Sequence, residues 1–105
     1  MKTASRYFLD AKSIEALEAI QAAHFHNNAS AAVRFAVYTA SKRVRPIQID
    51  TPQKAKPFYF TLDDEIFAML GEINVKYPNG LKDISRAGKL RAALQYAATK
   101  VEVPE

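Results

Sequence analysis

The chain has 105 residues, 49% of them hydrophobic, with 15 Lys and Arg against 11 Asp and Glu for a formal net charge of +4. This length fits one small domain with its own core, and the absence of cysteine excludes disulfide bonds and thiolate metal sites. No apolar run approaches the roughly 18 residues of a membrane span, and the N-terminus lacks the apolar stretch of a signal peptide, so we expect a cytoplasmic protein.

The first predicted elements are a short strand and the helix that follows it. In "RYFLDAK", residues 6–12, an aromatic strand runs into Asp10, which stands where a helix N-cap belongs. Tyr7 and Leu9 are assigned to the buried face because Leu9 must join the apolar stripe of the helix. The opposite face of the strand then holds Ala4, Arg6 and Phe8.

A turn at "HFHNN" separates this helix from a second one, and a basic linker follows at residues 43–56. We expect three prolines to keep the linker extended rather than helical: Pro46, Pro52 and Pro57. This region and its edge contain five cations and a single acid, Asp50. The cations are Lys42, Arg43, Arg45, Lys54 and Lys56.

The second half of the chain opens on "FYFTLDD", residues 58–64, which again predicts a strand that runs into a helix start. Alternation places three side chains inward, namely Phe58, Phe60 and Leu62, and leaves Tyr59 and Thr61 outward. Asp63 is the predicted N-cap, and "KYPNG" separates the two helices of this half.

The two halves align as a repeat. The strands and first helices match at an offset of 53, as in Leu9 with Leu62 and Asp10 with Asp63. The second helices match at an offset of 57, as in Arg34 with Arg91, which places a four-residue insertion in the second turn. The alternative to a repeat is that two amphipathic helix pairs align by chance.

We therefore predict a mostly α fold with a two-stranded antiparallel β-ribbon, in the order β-α-α-linker-β-α-α. The two units are residues 4–42 and 57–100, and they share one core. Neither unit can bury its strand alone, and a linker of about 15 residues spans up to roughly 50 Å when extended, which lets the two strands pair with each other. One ribbon face is then buried and the other is bare.

A bare two-stranded ribbon fits the major groove of DNA, where outward side chains reach base edges. The candidate base-contacting residues are Ala4, Arg6, Phe8, Tyr59 and Thr61. Arg6 is the natural bidentate partner of guanine, while Thr61 offers a hydroxyl and a methyl group. The alternatives are solvated strand residues, or an aromatic docking surface for a protein built on Phe8, Phe58 and Tyr59.

The stretches "YFLDAKSIEALEAIQAAHFHNNASAAVRFAV" and "YPNGLKDISRAGKLRAAL" resemble the ribbon-helix-helix superfamily of the Arc, MetJ and CopG repressors. Two fused units would form a single-chain pseudodimer, similar in plan to the conjugation protein TraY. The resemblance implies phosphate contacts at the start of each second helix. Together with two linker lysines, the residues that would contact phosphates are Asn28, Ala29, Ser30, Ser85, Arg86, Ala87, Lys54 and Lys56.

This resemblance implies a sequence-specific double-stranded DNA-binding protein, in the first place a transcriptional repressor. Molecules of this superfamily tend to lie side by side on the duplex, and the differing halves predict that one molecule recognises an asymmetric half-site. Two alternatives stay open: an accessory factor of a conjugation or recombination complex, and a protein-interaction module of the antitoxin kind.

The sequence predicts no enzyme, no cofactor and no metal site. His24 and His26 are the only histidines, and no carboxylate is arranged beside them to complete a zinc or nickel site. The chain has three glycines and no glycine-rich phosphate loop.

Overall fold

The computed structural model of the chain describes residues 2–25, 28–50, 54–80, 82–83 and 85–101. Its elements, in chain order, are β1 (Lys2–Leu9), α1 (Ala11–Ile20), a π-helix (Gln21–Phe25), α2 (Ala29–Ser41), β2 (Ile47–Gln48), β3 (Lys56–Asp63), α3 (Asp64–Gly71), β4 (Val75–Lys76), β5 (Lys82–Asp83) and α4 (Arg86–Lys100). The described part is thus mostly helical and includes a two-stranded antiparallel sheet, which confirms that much of the predicted fold class.

The two long strands, β1 and β3, pair with each other along their whole length in an antiparallel ribbon. At its centre Arg6 lies opposite Tyr59, the residue 53 positions later in the sequence. If a two-fold axis related the two halves, only the residue pair on that axis would consist of repeat counterparts, and Arg6 with Tyr59 is that pair.

Alternation along the ribbon separates a buried face from an exposed one, as the sequence predicts. The inward residues are Tyr7, Leu9, Phe60 and Leu62, all less than 9% exposed, with Phe58 half-buried beside them. The Phe58 and Phe60 rings are stacked with their centroids 6.3 Å apart, and the Tyr7 ring lies 6.1 Å from that of Phe60. These aromatic rings form the layer between the ribbon and the helices.

Each of the four α-helices begins at a side chain that accepts a hydrogen bond from the backbone N–H three residues later. The caps are Asp10, Asn28, Asp63 and Ser85, with donor–acceptor distances of 3.0–3.1 Å. Asp10 and Asp63 are the predicted caps, and Asn28 and Ser85 are likewise separated by the second offset of 57. A cap of this kind stabilises a helix by about 1 kcal/mol.

The helices pack in pairs that correspond when the halves are exchanged. The second helices α2 and α4 pack against each other, α1 packs against α4, and α3 packs against α2. Residues that align in the repeat are buried together, for example Val33 with Leu90 and Val37 with Leu94, all 0% exposed. Both halves therefore contribute equivalent positions to one apolar core.

In its described residues the linker contains no helix, as predicted, and part of it is a strand packed on the core. Ile47 and Ile49 are 6% and 4% exposed, so the linker packs on the core. Its β2 pairs in parallel with β4, which pairs antiparallel with β5 in a second, three-stranded sheet. The amides of Ile47 and Ile49 donate to the carbonyls of Asn74 and Lys76 at 2.8 and 3.2 Å.

The connections between the paired helices differ in the two halves. After α1 the chain continues as the π-helix, whereas α3 ends at Gly71 and leads into β4. A turn follows in which the Gly80 amide donates to the Tyr77 carbonyl at 2.9 Å and Gly80 has a φ of +87°, which favours glycine. The second connection thus holds the predicted insertion as a short hairpin.

Candidate nucleic-acid interface

The outer face of the ribbon carries four of the five predicted base-contacting residues in exposed positions. Arg6 and Thr61 are exposed, and the rings of Phe8 and Tyr59 are 39% and 73% exposed. Ala4 pairs with Thr61 in the register, but its side chain lies outside the described residues. The ribbon thus brings together side chains that are more than 50 positions apart in the sequence.

On this face the Arg6 guanidinium lies over the Phe8 ring, with 5.1 Å between the Cζ atom and the ring centroid. A cation over an aromatic face at this distance gains about 0.5–1 kcal/mol at an exposed site. Arg6 itself is exposed, and the ring contact limits its side chain to fewer rotamers. In the major groove, guanine O6 and N7 accept hydrogen bonds from a planar guanidinium group of this kind.

The ribbon is held from its inner side by Arg91 of α4, a residue to which the sequence analysis gives no role. Arg91 is 6% exposed and donates to the Phe8 carbonyl at 2.8 Å and to the Tyr77 hydroxyl at 3.4 Å. Phe8 lies opposite Pro57, which has no N–H to donate. Arg34, the repeat counterpart of Arg91, is exposed. The alignment of the two halves therefore does not reveal that one arginine is buried and the other exposed.

The predicted phosphate-contacting residues at the helix starts occupy the first turns of α2 and α4. In α2 these are the cap Asn28, exposed, and the half-buried Ala29 and Ser30. In α4 they are the exposed cap Ser85, Arg86 and the half-buried Ala87.

Arg86 is exposed, and its guanidinium carbon lies 4.4 Å from the Phe67 ring centroid. Each cap occupies one amide of its own first turn, while the preceding amides of that turn have no intrahelical acceptor. Both helix starts therefore offer backbone donors.

Charge differs between the two ends of the ribbon. At one end Lys56 is exposed opposite Leu9, and Lys54 is exposed two residues earlier with a φ of +54°. At the other end Lys2 pairs with Asp63, and the chain passes into the first turn of α3, where Asp64 and Glu65 lie. The end of the ribbon with Lys54 and Lys56 therefore favours negatively charged groups of a ligand.

Near the lysine end, Lys12 of α1 forms an ion pair with Asp50 of the linker. The hydrogen bond and the charge of Asp50 raise the pKa of Lys12 above its ordinary value. This pair fixes the linker against α1 and neutralises the acid nearest to the ribbon lysines along the chain.

No group of three or more metal-ligating side chains occurs among the described residues. The side chain of His24 and all of His26 lie outside them. Within the described part of the chain, none of the helices has the length and apolar character needed to cross a membrane.

No protein-family model, no curated protein and no solved structure matches this chain.

Proposed function

We propose that this protein binds double-stranded DNA by inserting the outer face of the β1–β3 ribbon into the major groove, and that it acts as a transcriptional regulator. One observation carries the proposal: among the described residues, helices cover one face of the ribbon and leave the other face exposed. The bare face presents Arg6, Tyr59 and Thr61, which together supply hydrogen-bond donors, an acceptor and a methyl group. A two-stranded ribbon is one of the two backbone elements that the major groove admits.

The proposal includes the tandem ribbon-helix-helix arrangement. Three features support it: the ribbon register centred on Arg6 and Tyr59, the corresponding helix pairs in the two halves, and the side-chain caps at equivalent positions. In such an arrangement each half contributes one strand to the ribbon and one second-helix start to a flanking position. The helix starts at Asn28 and Ser85 would then contact the phosphates on either side of the groove.

The two halves would read different bases, because Arg6 in one strand is replaced by its counterpart Tyr59 in the other. Arg6 would donate to a guanine and Tyr59 to a base acceptor or a phosphate oxygen. The preferred site of one molecule is therefore asymmetric, with a guanine on the Arg6 side. Lys54 and Lys56 would contact phosphates at the lysine end of the ribbon.

Selection of bound duplexes from a random pool tests this proposal, because it measures binding and reports the preferred site together. Enrichment of an asymmetric site containing a guanine is the expected result. Affinity for the selected duplex should then fall steeply between about 50 and 200 mM salt, since phosphate contacts release counterions. Failure to enrich any sequence would contradict sequence-specific binding.

A second candidate function is protein docking through the ribbon, favoured by the exposed Phe8 and Tyr59 rings. Apolar docking should change little over the same salt range, because it releases few ions. A salt-independent interaction with a protein, combined with no DNA enrichment, would support docking in place of DNA binding.

A further inference from the structure

A groove of about 380 Å³ lies between the docked linker and the C-terminal half of α4, and the ribbon lines none of it. Ile47 and Ile49 line the apolar side of the groove, with only a small part of each side chain exposed. Gln95, Tyr96 and Thr99 of α4 line the opposite side. The volume is near the lower end of the range of about 300–1,000 Å³ for ligand pockets, which limits an occupant to a small molecule.

Two cations lie beside the Tyr96 ring, and one of them, Arg43, lines the groove. The Arg43 guanidinium carbon is 5.0 Å and the Lys100 Nζ is 5.3 Å from the Tyr96 ring centroid, so the two charges are at most about 10 Å apart. This upper limit exceeds the Debye length of about 8 Å at physiological ionic strength, so Lys100, which does not line the groove, contributes less than Arg43 to the positive charge there. Among the described residues that line the groove, none is acidic.

Their positions at helix C-termini explain part of this arrangement. Lys100 ends α4 and Arg43 follows the end of α2, where cations are stabilised by the helix dipole. The dipoles do not require Arg43 to lie at the Tyr96 ring beside the apolar residues of the groove. That combination is complementary to a molecule with a flat apolar body and one negative group.

We infer that this groove binds a small aromatic carboxylate. The aromatic body would lie on Ile47 and Ile49 beside the Tyr96 ring, and the carboxylate would accept hydrogen bonds from Arg43, with Lys100 adding a second positive charge. Gln95 and Thr99 offer further polar groups at the same side. This inference does not depend on the proposed DNA binding, because none of its residues lies on the ribbon or at a helix start.

The test is a titration of the ¹⁵N-labelled full chain, without DNA, with 2-naphthoate and with its neutral counterpart 2-naphthamide. We expect saturable amide shifts at residues 47–49 and 95–99 with millimolar or tighter naphthoate. Naphthamide should bind about fivefold more weakly, which is the upper end of the effect of one exposed charge contact.

Two variants complete the test. Arg43→Gln should weaken naphthoate binding about fivefold. Lys42→Gln removes an adjacent exposed charge that does not line the groove and should leave naphthoate binding unchanged. Both positions are exposed, so folding is retained and can be confirmed from the amide spectrum. Equal binding of the two probes, equal effects of the two variants, or no saturation at millimolar naphthoate would overturn the inference.

Discussion

Replacing Arg91 by methionine removes the contacts that tie α4 to the ribbon while keeping an apolar stem of similar length. Arg91 is 6% exposed, and its 2.8 Å bond to the Phe8 carbonyl is a charge-assisted hydrogen bond. Hydrogen bonds to charged groups contribute about 1.5–3 kcal/mol to stability. The Phe8 carbonyl would also lose its donor, and Pro57 opposite has no N–H to replace it.

We therefore expect Arg91→Met to lower the free energy of unfolding by about 2 kcal/mol, which corresponds to a decrease in Tm of about 8–16 °C for a domain of this size. Urea unfolding followed by circular dichroism measures this loss, and an unchanged m-value would show that the folded state keeps its compactness.

Arg34→Met is the matched control, because Arg34 occupies the equivalent repeat position but is exposed. It should change stability by less than about 0.5 kcal/mol. Equal losses in the two variants, or no loss in Arg91→Met, would refute the role given to Arg91.

Three further predictions concern the linker, the helix start and the ion pair. Ile47→Ala should lower the free energy of unfolding in urea by about 2–4 kcal/mol, because the linker is packed on the core. Val44→Ala, at a linker position that is 91% exposed, should leave it almost unchanged. Equal losses in the two variants would contradict the packing of the linker on the core. Arg86→Gln should weaken binding to all duplexes alike and reduce the slope of log affinity against log salt by about 0.9; a loss confined to the selected site would contradict a phosphate contact. The pKa of Lys12 is raised in the folded chain, so its pair with Asp50 stabilises the fold below the ordinary lysine pKa of 10.5 and loses this effect as pH rises through the folded value. The stability difference between the wild type and Lys12→Met should therefore vanish at high alkaline pH, and a difference that persists there would contradict the ion pair as its source.

Pattern and local chemistry were sufficient to predict the ribbon and its faces. Asp10 and Asp63 each follow an alternating aromatic strand and precede a helical stripe, and both cap their helices as expected. Because alternation has a period of two, fixing Leu9 and Leu62 inward also fixes Arg6 outward. The repeat itself pointed to pairing between two strands that have no nearer partner.

The second sheet was missed because its strands are only two residues long and carry no alternation that could be recognised. The prolines of the linker argue against a helix but do not distinguish an extended spacer from a strand docked on the core. Arg91 was missed for another reason. It aligns with Arg34, and only the packing of α4 beneath Phe8 and beside Tyr77 makes one arginine buried and the other exposed.

Binding of the selected duplex by Arg6→Ala, measured by fluorescence anisotropy beside Lys42→Ala, tests the ribbon proposal most directly. Loss of the guanidinium should weaken binding by about 5–150-fold, equivalent to about 1–3 kcal/mol, and should remove the preference for guanine at one position. Lys42 lies beyond the end of α2 with its ammonium 4.1 Å from the Tyr38 ring centroid, so its loss should leave affinity and preference nearly unchanged. Unaltered affinity and base preference in Arg6→Ala would contradict recognition of DNA by the ribbon.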